Sequence, residues 1–462
     1  MAGFVVVGLA LAIMLMIISL IGPIIGPQLQ PILGITVDVT LLTLYFFIFA
    51  TLYNAILLST IALHDRNKHS FEGEVQEHLF SLMIPCRNEE AVITQTIRAL
   101  MNVDYPGHKL EVLVVNDGST DSTENIVRGL MQEFQNLKLL NIPIQDSGKG
   151  KSMALNKGFK HLLKVSPFRN SPDWIIGVFD SDGIADRKIL KKASYRFKDP
   201  MVGAVQTLVR ISNSKESILT MLQDIEFVTF AKVTQCARAI FKGAVALGGN
   251  GQFVRAHTLR SIALSPGEYW RNDALTEDLE LGTRVLLNGW ENSFLSTTAV
   301  YQYGVTTLST LYKQRTRWSW GSLQCFFNYA ANFKVLRSTM GPVKKLDLFY
   351  YLSAAMLPPM ILLVWALSVF GLLGLFSIYN PFPAYFLIAN SVSFFPLIGY
   401  GLWTVRHEYK ARLIIPLLFL TNAYTYHWVI CTIRAMVHML KEDKPRWTVT
   451  KKAKVDLQGN SG

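Results

Sequence analysis

Apolar and polar positions divide this chain into stretches of different character. From Gly3 to Pro27 no charged residue occurs, which is long enough to cross a bilayer. No basic segment precedes it and no small-residue cleavage site follows it, so the pattern predicts an uncleaved anchor. A second apolar stretch covers residues 39–63, and "HDRNKH" then opens a polar region. Near Asp347 the apolar character returns. Residues 348–376 and 382–405 read as two more spans, separated by "SIYNPFP". A last apolar stretch, 412–437, precedes a basic tail.

The centre of the chain, residues 70–340, has another rhythm. "HLFSLMIP" and "LEVLVVND" are short runs rich in Val, Ile and Leu that end in polar residues, as buried parallel strands do. Between them "NEEAVITQTIRALMNV" places apolar residues at helical spacing, with acidic residues expected in the first helical turn. "DWIIGVFD" and "VGAVQTLV" are further strand candidates. Strands alternating with helical segments predict βαβ units, whose ligands sit at the carboxyl ends of the strands. Those ends carry Asn88-Glu89-Glu90, Asn116-Asp117-Gly118 and Asp180-Ser181-Asp182.

Composition and charge add a setting. The chain has 462 residues, half of them hydrophobic, and a mean hydropathy of +0.27, too apolar for an ordinary soluble protein. A formal charge of +12 implies an anionic partner: lipid headgroups, a phosphorylated substrate or nucleic acid. The cysteines Cys86, Cys236, Cys325 and Cys431 show no CxxC spacing, so neither a disulfide framework nor a zinc site is expected. Lysines and arginines in "HDRNKH", at 344–345 and in "RHEYKAR" put the central region in the cytoplasm. A membrane-spanning 412–437 would then place the basic tail outside, against that rule. Asn422, His427 and Arg434 interrupt the stretch, and it is expected to lie along the cytoplasmic interface.

The polar strand ends suggest chemistry. Asp180 and Asp182 in D-x-D spacing offer hard oxygen ligands to a divalent cation; alone, such a pair is as readily a turn closed by Gly183. With no lysine or arginine adjacent in sequence to neutralise it, this pair is expected to need the cation. "DSGKGKSMALNKG" brings Lys149, Lys151 and Lys157 to the start of a helical segment, where they can meet anionic oxygens or simply form a solvated basic loop. "LTEDLELG" holds Glu277, Asp278 and Glu280, either the start of a helix capped by Thr276 or the seat of a general base. In "QRTRWSWG", Arg315, Arg317, Trp318 and Trp320 are expected to clamp phosphate and stack a ring, or to line a membrane-surface helix.

The order N-E-E, V-N-D-G-S, G-K followed by A-L-N-K-G, D-S-D, T-E-D and Q-R-T-R-W, over residues 78–325 between apolar spans, resembles the membrane-embedded, processive members of glycosyltransferase family 2. Bacterial cellulose synthase, poly-N-acetylglucosamine synthase and hyaluronan synthase share this plan. The resemblance implies an α/β, GT-A-type glycosyltransferase domain inserted between N- and C-terminal transmembrane helices. Its expected boundaries are 1–66 for two transmembrane helices, 67–340 for the cytosolic domain with interfacial helices, 341–440 for further transmembrane and interfacial helices, and 441–462 for a basic tail. It further implies a nucleotide pocket at Pro85, Glu89 and Asp117, with Lys151 near the diphosphate. Asp180 would touch nucleotide and metal, and Asp182 would hold the metal, Mg²⁺ or Mn²⁺. Asp278, beside Glu277, would be the base. Gln314, Arg317 and Trp318 would hold diphosphate and acceptor. Asn250 and Gly251 of "GGNGQFVR" stand where the family lines its acceptor site. "WTVTKK" is similar to a cytosolic gating loop, with Trp447, Thr450 and Lys452 as its contacts.

Together these imply a plasma-membrane, multi-pass enzyme with a cytosolic site, using a UDP-sugar to extend a β-linked polysaccharide with inversion. Its partners would be the UDP-sugar, the growing polymer and the lipid bilayer, with no nucleic acid; accessory subunits and a homo-oligomer stay open. One alternative is a non-processive family member acting on a lipid acceptor. Another is a binding or transport protein without chemistry.

Overall fold

The computed structural model describes residues 51–63, 77–360, 362 and 394–441. Its strands are Leu79–Cys86 (β1), Leu110–Asn116 (β2), Leu137–Asn141 (β3), Trp174–Val178 (β4), Ile184–Ala185 (β5), Val202–Ile211 (β6), Gln252–Arg255 (β7) and Glu291–Gln302 (β8). They form one sheet in the order β3-β2-β1-β4-β7-β6-β8-β5. The β3-β2-β1-β4 part is parallel, and β7 pairs antiparallel with both β4 and β6. Every residue of β2 is buried, as expected of a strand covered on both faces.

The period of two along each strand feeds two separate cores. Leu82, Ile84, Val112 and Val114 face one way, onto helices Ile93–Met101 (α2), Thr123–Glu133 (α3) and, through Ile189, Leu190 and Ala193, Ile189–Arg196 (α5). Met83, Leu113 and Val115 face the other way, onto Leu155, Phe159 and Leu162 of Lys151–Val165 (α4). On that same side pack Leu281 and Val285 of a later helix, Glu277–Leu287. The helix expected after the first strand does form, but its first turn holds no acid. Asn88 adopts a left-handed φ of 56°, and its side-chain oxygen accepts from Thr120 N. That turn delays the helix to Ile93 and leaves Glu89 and Glu90 in the loop before it.

Other helices include Thr51–Leu63 (α1), Ile218–Thr229 (α6), Glu277–Leu287 (α7), Leu308–Cys325 (α8), Pro342–Ser353 (α9), Ile414–Thr425 (α10) and His427–Leu440 (α11). The shorter apolar helix Thr51–Leu63 packs through Tyr53, Leu57 and Ile61 onto Val233, Ala237, Tyr350 and Leu397. In its midst Arg238, buried, donates to Tyr53 OH at 2.9 Å and lies 3.4 Å from Asp347. Among the described residues one helix, Ala411–Leu440, is long and apolar enough to cross a membrane. Its second half runs against α8, with Thr432 Oγ1 donating to Ser319 Oγ at 3.2 Å. The apolar stretch 3–27 and tail residues Trp447, Thr450 and Lys452 lie outside the described residues, as do 363–376 and 382–393 of the two expected spans 348–376 and 382–405.

Candidate active site

The order of strands in the sheet reverses at β1: β2 and β3 lie on one side of it and β4 on the other. An open α/β sheet leaves a crevice beyond the carboxyl ends at such a point. There lies a cleft of about 250 Å³. Strand ends contribute Pro85, Arg87, Glu89, Asp117, Asp180 and Asp182 to its wall. The starts of α4 and α7 add Lys151, Glu277 and Asp278, and α8 adds Gln314, Arg317 and Trp318.

At one end Asp117 is buried, and both of its carboxylate oxygens accept from Gly148 N at 3.1 Å. Burial raises its pKa, while the Gly148 amide and Arg87 pull it back. Gly148 sits at φ +72°, and a Cβ there would fall 2.1 Å from Arg87 Nη1. Only glycine lets the lysine-bearing loop close over Asp117 in this way.

In the D-S-D turn, Gly183 N donates to Asp180 O at 2.9 Å, so the segment is a real turn. Both aspartates nevertheless line the cleft. Asp182 Oδ2 accepts from Tyr303 N at 3.2 Å. The expectation that no cationic side chain accompanies the pair is overturned. Lys151 Nζ lies 2.6 Å from Asp180 Oδ1 and 3.2 Å from Glu277 Oε1. Burial works against its charge, yet Asp180, Glu277 and Asp278 outweigh it and hold the ammonium firmly protonated. The approach depends on the start of α4 facing the end of β4, which sequence adjacency does not reveal.

In T-E-D, Thr276 precedes α7 but its side chain makes no capping bond. Asp278 Oδ1 accepts from Leu279 N at 2.8 Å. Burial, then the adjacent Glu277 charge, pushes the Asp278 carboxyl up to about 7, against the pull of Lys151 and Arg317. Glu280, two residues on, has a different fate. It is buried against Arg284 at 2.8 Å and Arg271 at 3.1 Å, and accepts from Tyr329 OH at 2.5 Å. Its carboxylate is structural, whereas Asp278 faces the cleft. Across from Asp278, Gly249 sits at φ +77°, where a Cβ would come within 2.8 Å of Asp278 Oδ2.

On α8, Gln314, Arg317 and Trp318 fall at i, i+3 and i+4 and share the cleft face. Arg317 Nη1 donates to Leu275 O at 3.0 Å, tying α8 to the residue before T-E-D. Arg315 and Trp320, each two residues from a cleft residue, point elsewhere. Arg315 is buried against Glu226 at 2.7 Å, and Trp320 stacks on His438 with centroids 5.7 Å apart. Of the four side chains singled out in "QRTRWSWG", Arg317 and Trp318 line the cleft and Arg315 and Trp320 do not.

Asn250 and Gly251 are brought near the site but beneath it. Asn250 is buried, accepts from Asp180 N at 3.2 Å and donates to Gln302 at 3.0 Å. Gly251 N donates to Val178 O at 3.0 Å. They fix the D-S-D turn from behind, and Gly248 and Gly249 form the wall in their place. Arg87, Phe227 and Tyr303 also line the cleft without having been singled out. Tyr303 follows β8, a strand with no motif, and Phe227 lies in a plain apolar helix. Only Arg87, beside N-E-E, had a signal in the sequence.

Residues 77–321 match the family described as "Glycosyltransferase like family 2". The chain is 30% identical over 376 residues to the beta-monoglucosyldiacylglycerol synthase of Synechocystis sp., covering 80% of this chain and 74% of that one. It is 24% identical over 416 residues to a poly-beta-1,6-N-acetyl-D-glucosamine synthase of Staphylococcus epidermidis, covering 87% and 90%. Its fold is similar to that of the mannosyltransferase PcManGT from Pyrobaculum calidifontis, solved with GDP-Man and Mn²⁺. The TM-score is 0.56 at 18% identity, over 89% of this chain and 99% of that one. A sheet whose strand ends gather acids and a lysine, and a sequence that matches over more than half its length, lead to one conclusion: this chain is a glycosyltransferase and belongs to family 2.

Proposed function

We propose that this enzyme transfers a hexose from a UDP-sugar to the hydroxyl of a lipid acceptor at the membrane surface, with inversion at the anomeric carbon. The observation that carries the reading is the similarity to beta-monoglucosyldiacylglycerol synthases over four-fifths of the chain. The geometry agrees with it. Trp318, which lines the cleft, stacks on Trp428 of the apolar helix Ala411–Leu440, with centroids 6.5 Å apart. An acceptor reaching Trp318 thus arrives beside apolar surface. We infer that this helix lies along the cytoplasmic interface.

The residues divide the work. Asp117 and Glu89 receive the nucleoside end of the donor, and Lys151 and Arg317 face the diphosphate. Among the described residues no group of three or more His, Cys, Asp or Glu gathers for a metal, but Asp180 and Asp182 are a hard pair on the cleft wall that already draws a cation, Lys151. They fit a divalent ion such as Mg²⁺ or Mn²⁺ whose other ligands come from phosphate and water. Bound there, it would supply positive charge to the leaving diphosphate. Asp278 takes the proton from the acceptor hydroxyl as that oxygen attacks the anomeric carbon and the bond to diphosphate breaks. A base poised near neutral pH suits this step, because it is ionised at working pH yet still basic.

The test is incubation of the full chain in vesicles with radiolabelled UDP-glucose and dioleoylglycerol, followed by thin-layer and size analysis. A monoglycosylated lipid is expected. Failure to form any labelled lipid overturns the reading. A polymer-forming second reading is favoured by the match to almost the whole poly-N-acetylglucosamine synthase chain, and high-molecular-weight product with UDP-GlcNAc would decide for it.

A further inference from the structure

Behind Trp318 lies a half-buried polar cluster, centred on the buried Arg315, for which the donor chemistry has no use. Glu226, on α6, receives bonds from three other helices, α8, α10 and α11. Arg315 Nη2 of α8 donates to its Oε2 at 2.7 Å. Trp428 Nε1 donates to its Oε1 at 2.7 Å, and Tyr424 OH donates to Oε2 at 3.1 Å. The Arg315 guanidinium is almost wholly buried and lies 4.1 Å from the Trp318 ring centroid and 5.4 Å from those of Phe227 and Trp428. Its Nε and Nη1 have no hydrogen-bond partner. Trp318 and Phe227 both line the cleft.

A buried ion pair of this kind is weak support for stability, since removing both charges from water costs about what their attraction returns. Its geometry has a clearer consequence. One carboxylate joins the helix carrying Phe227, the helix carrying Trp318 and the helix carrying Trp428. The cation it holds is placed against the indole by its attraction to the ring face. Rotation of Trp318 away from the cleft would separate it from that cation.

We propose that Glu226 is a positioning residue for acceptor recognition. Through Arg315 and Trp428 it fixes the Trp318 ring as the wall against which the acceptor is held for Asp278, and it links that wall to the Ala411–Leu440 helix. The proposal rests on the reading of the cleft given above, but not on which acceptor is used. Misplacing a positioning group by about 1 Å can cost on the order of 10²-fold in rate. Because Glu226 acts at the acceptor end only, its loss is expected to be selective.

The experiment uses the full-length protein in vesicles, labelled with 5-fluorotryptophan, with the Trp318 resonance assigned by Trp318→Phe. In Glu226→Ala the Trp318 ¹⁹F signal is expected to shift or broaden, while in Glu226→Gln, which keeps the side-chain volume and one of the two acceptor oxygens, it changes less. Kinetically, Glu226→Ala should raise the acceptor KM about tenfold and leave the UDP-sugar KM within twofold. The acceptor is dioleoylglycerol, or N-acetylglucosamine oligosaccharide if that is what the wild type uses. An unmoved Trp318 signal overturns the proposal, as does an equal rise in both KM values. Transfer to neither acceptor by the wild type would defeat the reading of function, and the ¹⁹F result would still decide the role of Glu226. Arg315→Met with Glu226→Gln, which removes the charges together, guards against a simple folding failure: it should fold and keep the acceptor defect.

Discussion

The two ends of the cleft are built by different means. Of the residues proposed to hold the donor, Asp117, Asp180 and Lys151 sit at a strand end or the first turn of a helix, whereas Arg317 reaches in from the middle of α8. Asp117 follows β2, Asp180 follows β4, and Lys151 opens α4. At the acceptor end, Trp318 is held by residues from α6, α8 and α11, with Glu226 and Trp428 202 positions apart in the chain. A parallel sheet imposes convergence of its strand ends, so short motifs are enough to form the donor site. Nothing local imposes the meeting of three helices; only their packing does. The donor end should therefore fail through single residues, and the acceptor end through displacement of a whole wall.

The sharpest break is expected from Asp278→Asn. It should lower turnover on the order of 10²–10⁴-fold, the worth of a well-placed base, with UDP binding nearly unchanged by calorimetry. The paired control is Glu280→Ala, two residues away. It leaves Arg284 buried without its carboxylate, at a cost of about 3–5 kcal/mol, and should lower the melting temperature, which Asp278→Asn should not.

Next in size is the response to chelation. Exhaustive EDTA should suppress transfer at least tenfold and Mn²⁺ or Mg²⁺ should restore it. The positive charge of Lys151 already near Asp180 makes this a real test, since an enzyme served by the lysine alone would keep full activity without a divalent ion.

Trp318→Ala should weaken acceptor use by about tenfold to 10²-fold while sparing donor KM, because a stacked ring is lost at one end only. If both constants move together, the separation of the two ends is wrong.

A smaller effect concerns pH. Asp278 is raised to about 7 by burial and Glu277, so below that pH it is protonated and cannot accept a proton. kcat/KM should fall tenfold per unit as pH drops below about 7 and level off above it. Glu277→Gln removes the negative neighbour, lowers the Asp278 pKa and should move this limb to lower pH. A limb that stays in place would assign it to another group. Smallest, deletion of residues 446–462 should reduce synthesis a few-fold without unfolding, if the tail bearing Trp447, Thr450 and Lys452 touches bound nucleotide. Unchanged activity would make it only a charged terminus.

The sequence by itself determined much of the donor end. The apolar runs before "NEE", "ND" and "DSD" gave the strands, because a strand buried on both faces must be apolar until it emerges. Gln314, Arg317 and Trp318 fall at i, i+3 and i+4 in the sequence and share a face in the helix, whereas Arg315, three residues before Trp318, is drawn away from the cleft by Glu226. What the tertiary structure alone decided was the company each charge keeps. Glu277, Asp278 and Glu280 lie within four consecutive residues on paper. One pairs with Lys151, one is pushed up to about 7, and one is neutralised by Arg271 and Arg284. Asn250 reads as a cleft residue and instead braces a turn, while Glu226 carries no motif and joins three helices. Backbone periodicity is a local property and can be read along the chain. The field at a carboxylate depends on groups within a few ångströms in space, and these come from segments that only the packed fold brings together.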